Sequence, residues 1–223
     1  MNVIDAIKSR ISTRAFLDTP VSKKQLRDIL DIARWAPSGG NLQPWRVHVV
    51  MGKGRDRLVE TVKKSITENP MGEAPEIAVY PPKLQDPWRA RRFEVGETMY
   101  QLLDIPREDK PARINHLLRN YEFFGAPVGL FFSINRQFDK GQWAHLGMFM
   151  QSIALAAAEL GLATCMQEAW VPRAKTVSTF LGLGDDEQLY CGMALGYADK
   201  SADVNRLRSS RIPVDEFTTF ITD

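Results

Sequence analysis

Apolar positions along this chain recur at helical spacing in some stretches and in short continuous or alternating runs in others. Near the amino terminus, Val3, Ile4 and Ile7 share one face of a predicted short helix, with Asn2 placed to cap it. Ser22 and Gln25 form an S-x-x-Q capping box, Val21 can staple onto Leu26, and Leu26, Ile29, Leu30 and Ala33 keep the helical period until Pro37 stops it. After the turn APSGGNLQP, Val47, Val49 and Met51 alternate with Arg46, His48 and Val50, which predicts a strand over WRVHVVM. Leu58, Val62 and Ile66 return the pattern to helix. Further on, VGLFFSI is a fully apolar strand, and GQWAHLGMFMQSIALAAAELG is a helix apolar on most faces with Gly161 as its C-terminal stop. Strand ATCMQEAW, helix VPRAKTVSTFLGL and strand LYCGMALGY follow.

Residues 67–122 break this rhythm. They hold seven prolines, the cluster Trp88-Arg89-Ala90-Arg91-Arg92-Phe93 and one candidate helix around Val95–Leu103. A long, weakly periodic stretch inside a domain reads as a functional insert or lid. The tail, about 199–223, is polar and basic, then semi-apolar, and is expected to extend from the core. Strands and helices alternate irregularly, so the expected class is α+β (mixed α/β): one domain over 1–223, with a mixed sheet surrounded by helices.

Composition narrows the function classes. At 223 residues, 44% apolar and 25% charged, the chain is an ordinary globular protein. A net charge of +2 is too small to point to nucleic acid. Asp5 and Lys8 fall where an export signal would carry its apolar core. The longest charge-free stretch, Gly141–Ala158, carries Gln142, His145, Gln151 and Ser152 and reads as a buried helix rather than a membrane span. A soluble, cytoplasmic protein without nucleic-acid or membrane partners is expected. Cys165 and Cys191 cannot build a disulfide framework or a four-ligand zinc site, and read as buried small hydrophobes. His48, His116 and His145 lie far apart without metal-ligand spacing. There is no G-x-G-x-x-G after a strand, no P-loop and no G-x-S-x-G elbow.

Three clusters remain, each suited to an anionic, planar, hydrogen-bonding cofactor. Arg10-Ile11-Ser12-Thr13-Arg14 puts two guanidiniums and two hydroxyls within five residues, the donors a phosphate wants; a solvated helix end is the plainer alternative. Ala36-Pro37-Ser38-Gly39-Gly40-Asn41-Leu42-Gln43-Pro44-Trp45 combines fixed chain, close backbone approach and polar side chains; a tight helix-to-strand connection is its alternative. Arg206, Arg208 and Arg211 crowd the tail, where a mobile terminus would serve as well.

Together the clusters are more specific. R-x-S-x-R near the amino terminus, P-S-x-x-N-x-Q-P-W some way on, and S-R-x-P near the end resemble the FMN-dependent nitroreductase family. Phe123-Phe124-Gly125-Ala126-Pro127, Ala156–Leu162 and Gln167-Glu168-Ala169-Trp170 look like further landmarks of that family, so the resemblance covers nearly the whole chain. It implies an intertwined homodimer with shared active sites. By the same resemblance, Arg10, Ser12 and Arg211, with Arg208 beside them, hold the FMN phosphate, and Arg14 stands by the flavin pyrimidine ring. Pro37, Ser38, Gly39 and Asn41 match the loop that reaches the flavin of the neighbouring subunit. Gln167, Glu168 and Ala169 match the strand end whose backbone N–H groups face flavin N5 and O4; Ala169 stands where glycine is frequent and keeps the donor. The small residues Ala154, Ala158 and Gly161 suit close approach of two backbones, or simply a core helix of one chain.

The implied activity is ping-pong hydride transfer from NAD(P)H through FMN to a small nitroaromatic or quinone acceptor. No catalytic side chain and no metal are expected. Arg89, Arg91, Arg92 and Tyr100 are the candidate acceptor contacts, with one of the three arginines facing an anionic aromatic. Alternatives on the same fold are a reductive dehalogenase, an ene-type reductase or a non-catalytic flavin-binding protein. Glu97 and Tyr100 lie in the region of the dehalogenase Glu–Tyr–Lys lid, but no lysine follows until Lys110.

Overall fold

A computed structural model describes residues 1–222, so Asp223, the last residue of the expected tail, lies outside the described part. Helix α1, Val3–Ser9, starts where Asn2 accepts the Asp5 N–H. Helix α2, Lys23–Ala33, carries the reciprocal Ser22–Gln25 capping box and buries Leu26, Ile29 and Ala33. Strand β1, Trp45–Met51, occupies the expected residues and leads into α3, Lys53–Glu68. Helices α4, Trp88–Leu102, and α5, Lys110–Leu118, follow, then β2, Val128–Asn135, and α6, Lys140–Glu159. The chain continues through β3, Ala163–Gln167, α7, Ala174–Leu181, and β4, Glu187–Gly196.

The strands lie in the order β1-β2-β4-β3 and pair antiparallel throughout. The parallel element of the mixed arrangement is a single bridge, Ser12 to Thr164, which lays the segment after α1 along the edge of β3. There the Thr13 N–H donates to the Thr164 carbonyl at 3.0 Å.

Both faces of β2 are covered, which is why its sequence is uniformly apolar rather than alternating. Val128, Leu130, Phe132 and Ile134 pack with α2 and α6, while Phe131 packs with Phe123, Trp170 and α3 on the other face. The register slips between Phe132 and Ser133: Phe132 pairs with Cys191 and Ser133 with Leu189, leaving Tyr190 as the extra residue of a bulge. A bulge frees one side chain from the pleat and re-aims it.

Four expectations change. Val3, Ile4 and Ile7 do not face this chain's core; α1 buries only Ala6 and leaves that apolar face in the open. In β1 the alternation is incomplete: Val47 and Met51 pack against the core as expected, but Val49 is exposed and Val50 is buried on the opposite side. The helix expected around Val95–Leu103 starts earlier, so that the cluster Trp88–Phe93 forms the first turns of α4, behind the Arg89–Asp86 ion pair. The tail is not uniformly extended either: Val204, Asn205 and Leu207 are buried, and only the chain beyond them runs exposed. Among the described residues no helix is long and apolar enough to cross a membrane.

The tightest point of the core is Gly129, where an added Cβ would fall 2.2 Å from Cε1 of the fully buried Phe123. Gly141, in the first turn of α6, has nothing within 4 Å of that position. Gly129→Ala should lower unfolding stability by about 1–3 kcal/mol or more through overpacking, whereas Gly141→Ala should be neutral or stabilising. Urea denaturation of the pair checks this, and equal stability of the two variants would contradict it.

Candidate active site

Two clefts meet at Arg14. The larger, about 650 Å³, lies between the end of β3, the bulge on β4 and helices α4 and α5. The smaller, about 430 Å³, is walled by Lys8, Arg10, Ser12 and Arg14 from the amino-terminal segment and by Arg208 and Arg211 from the tail. Arg14 lines both. The structure therefore gathers two of the three clusters, from opposite ends of the sequence, around one concavity.

The charged side chains that line the smaller cleft are all cations. Some arginines elsewhere find carboxylates: Arg89 pairs with Asp86 at 2.6 Å, Arg113 with Glu97 at 2.6 Å and Arg206 with Asp203 at 2.9 Å. Lys8, Arg10, Arg14, Arg208 and Arg211 have no such partner among the described residues. Arg208 and Arg211 instead donate to nearby tail carbonyls, and Arg14 to the Ser12 carbonyl. Converging cations without counter-charge form a site for an anion.

The floor of the larger cleft begins where β3 ends. Gln167 is buried, with its Nε2 donating to the Asn120 carbonyl at 2.8 Å and its Oε1 accepting from Trp170 Nε1 at 3.3 Å. The Tyr190 hydroxyl donates to the Glu168 carboxylate at 2.9 Å; burial and this carboxylate push the Tyr190 hydroxyl pKa up. Both side chains are thus committed. Glu168 and Ala169 open a short 3-10 turn, where first-turn N–H groups lack a preceding partner within the turn. Cys165 and Cys191 also line this cleft, as free, buried thiols; burial pushes Cys165 up to about 11 and raises Cys191 further.

Of the candidate acceptor contacts, the structure brings Arg92 and Tyr100 to the larger cleft and leaves out Arg89 and Arg91. Arg89 is held by Asp86, and Arg91 points toward Glu216 at 3.7 Å, because helical spacing sends neighbouring side chains to different faces. The Arg92 guanidinium lies 4.2 Å over the Tyr80 ring. Tyr100 is stacked under Arg113, which also grips Glu97 with two bonds of 2.6 and 3.0 Å. That pairing holds the Glu97 carboxyl below its ordinary range and occupies it, so no free Glu–Tyr pair stands ready for a zwitterion.

The third cluster lies elsewhere. Pro37, Ser38, Gly39 and Asn41 line neither cleft of their own chain. Ser38 Oγ accepts the Gln43 N–H at 2.9 Å, and the Gly39 N–H faces the His145 ring, 3.3 Å from Nε2. Asn41 and Gln43 adopt left-handed φ values of 54° and 49° without being glycine. Such conformations are costly and persist where the surroundings fix them, commonly at ligand-contacting loops.

A family profile, "Nitroreductase family", matches residues 7–197. The chain belongs to the nitroreductase family. Among relatives within it, the chain is 40% identical to a 4-nitrobenzoate reductase of Pseudomonas putida, over 96% of this chain and 93% of that protein. It is 38% identical to a nitrobenzene nitroreductase of Ectopseudomonas oleovorans, covering 97% of this chain and 96% of the relative. A solved FMN- and NADPH-dependent nitroreductase NfnB from Sphingopyxis sp. strain HMH superposes with a TM-score of 0.97 at 44% identity, covering both chains fully. NfnB of Mycobacterium smegmatis, solved with NADPH, has a TM-score of 0.92 at 30% identity, covering 98% of this chain and 97% of that one.

Sequence reasoning about this nitroreductase missed three residues of the site: His116, Tyr190 and Asn205. Tyr190 depends on a bulge and Asn205 on a buried turn, neither of which has a short-range signature. His116 lines the larger cleft and is buried, with its Nε2 unpartnered, between Tyr100 and Phe124. Burial, then Arg119 and Arg14, lowers its pKa to about 4, so the ring is neutral at neutral pH.

This lowering has a signed consequence. An unfolded chain protonates His116 near its ordinary 6.5, whereas the folded chain does so only near 4. Stability is unaffected above that upper value and declines as pH falls through the window, by up to about 3 kcal/mol from this group. His116→Phe should remove that part of the decline, read as a shallower stability-versus-pH slope in denaturant melts. An unchanged slope would contradict the assignment.

Proposed function

We propose that this chain is an FMN-dependent oxidoreductase that uses NAD(P)H to reduce nitroaromatic or quinone-type acceptors. The observation that carries this reading is the uncompensated cation set joined through Arg14 to a slot of aromatic size. The donor set fits the group: Arg10, Ser12, Arg208 and Arg211 would hold the FMN phosphate, and Arg14 would stand at the pyrimidine end of the ring. Bound FMN supplies two-electron carrier chemistry, with hydride entering from NAD(P)H and leaving to the acceptor in alternation.

The chain's own residues shape that chemistry electrostatically. Arg14, a fixed cation, favours negative charge at the pyrimidine end of the slot. The N–H groups of Glu168 and Ala169 offer donors at the slot floor, and the Tyr190 hydroxyl engages the Glu168 carboxylate. Raised thiol pKa values keep Cys165 and Cys191 protonated, so no thiolate competes for electrophilic acceptors. No acid–base pair is required of the protein.

The site is read as shared between two copies in a homodimer. Loop Pro37–Asn41 is exposed and held in a strained conformation away from its own cleft, which suits contact with a neighbour's slot. The open face of α1, with Val3, Ile4 and Ile7, and exposed Trp35 supply apolar surface for such an assembly. Residues 67–122 act as a lid within a single domain, since Arg92, Tyr100 and His116 from this stretch line the slot. Work in the cytoplasm agrees with the need for NAD(P)H.

A variant series tests the reading. Arg10→Ala and Arg211→Ala should each weaken FMN binding by about 1.5–3 kcal/mol, the value of a charge-assisted bond. Arg92→Ala should leave FMN binding alone but lower kcat/KM for 4-nitrobenzoate relative to its uncharged methyl ester. Unchanged FMN affinity in both Arg10→Ala and Arg211→Ala would overturn the cofactor assignment. An unchanged acid-to-ester ratio in Arg92→Ala would remove that residue from acceptor binding.

A further inference from the structure

The two halves of the cation site come from residues 10–14 and 208–211, and a neutral side chain joins them. Asn205 is only 8% exposed, in a short turn over Asp203–Arg206 between buried Val204 and Leu207. Its Oδ1 accepts the Arg14 N–H at 2.8 Å, and its Nδ2 donates to the carbonyls of Ala15 and Asp199, both at 2.8 Å. Its own carbonyl accepts from Arg208 Nη1 at 3.1 Å. Both amide hydrogens and the amide oxygen are used. Three chain segments converge on one side chain: the strand-edge segment carrying Arg14, the exit of β4 at Asp199, and the start of the arginine-bearing tail.

We infer that Asn205 is the positioning residue of the anion site, fixing the Arg14 backbone and the docked tail as one unit so that the two cation sets face each other. This rests on the reading of that site as the FMN-phosphate grip. Cations that repel one another stay together only if the backbone beneath them is held in place. An amide does this where a carboxylate could not, because Nδ2 serves two carbonyl oxygens. Aspartate would set a charged oxygen against both. Without Asn205, the tail keeps only the packing of Val204 and Leu207 and a few turn bonds. Arg208 and Arg211 then swing into water, while the slot that takes the flavin ring is unchanged.

The readout is the preference for FMN over riboflavin, which carries the same ring without the phosphate. In apo-protein titrated with each flavin and followed by fluorescence, Asn205→Ala and Asn205→Asp should weaken FMN binding by about 10-fold or more, as expected for a broken buried bond. Riboflavin binding should change by much less, so the preference collapses. A residue that merely stabilised the fold would weaken both flavins in parallel, and that outcome, or unchanged FMN affinity, would overturn the inference. Arg211→Ala is the companion: if it collapses the preference and the Asn205 variants do not, Asn205 has no positioning role, and if neither does, the phosphate reading itself fails. Should the variants not fold, hydrogen exchange on the unsubstituted chain decides. FMN, but not riboflavin, should protect the Arg14 amide and residues 202–212 together; protection of one without the other would contradict the coupling.

Discussion

The architecture around the site depends on one electrostatic constraint: five cationic side chains converge on a cleft that holds no carboxylate in reach among the described residues. Two unit charges about 6 Å apart repel by about 3 kcal/mol at an effective dielectric of 20, so such a set persists only on a rigid scaffold and gains greatly from an anion. The scaffold is visible. Thr13 is pinned to β3 by a backbone bond, and Asn205 ties the tail to the same segment. Behind them β2 is covered on both faces, and β3 is joined to it through β4.

The slot owes its shape to a local fault in that sheet. The bulge at Tyr190 takes one aromatic residue out of register, and its hydroxyl donates to Glu168, the first residue past β3. Gln167, Glu168 and Ala169 line the slot, with the first two side chains engaged by Asn120, Trp170 and Tyr190. Helices α4 and α5 close the far side with Arg92, Tyr100 and His116. Affinity for an anion and space for a planar ring are thus set by separate elements that meet at Arg14.

Much of this was legible in the chain itself. Capping residues, strand runs and the Gly161 stop are local signals, and the corresponding elements form where those signals stand. The R-x-S-x-R segment and the tail arginines were legible only in combination, through the family resemblance they carry, since either alone reads equally as solvated charge; the structure brings them together. What could not be read depends on tertiary cover. Whether Val49 or Val50 faces inward is decided by what packs on an edge strand. The buried Val204-Asn205 pair looks like ordinary polar tail until a cleft and two carbonyls lie opposite it. Arg89, Arg91 and Arg92 are alike in sequence and differ only once helix α4 sends them to separate faces.

The loop at Pro37–Asn41 completes the account, because it holds a left-handed Asn41 and lines neither cleft of its own chain. The proposed site made from two chains would account for it, as for the open apolar face of α1. Subunit complementation tests this most directly. One variant carries Arg10→Ala and Arg211→Ala with an intact loop; the other carries Ser38→Ala and Asn41→Ala with an intact cleft. Each alone should be impaired. After the two are unfolded together and refolded as a mixture, dimers of one of each should contain one wholly native site and recover nitroaromatic reduction well above either parent. Activity no higher than the average of the parents would contradict a shared site.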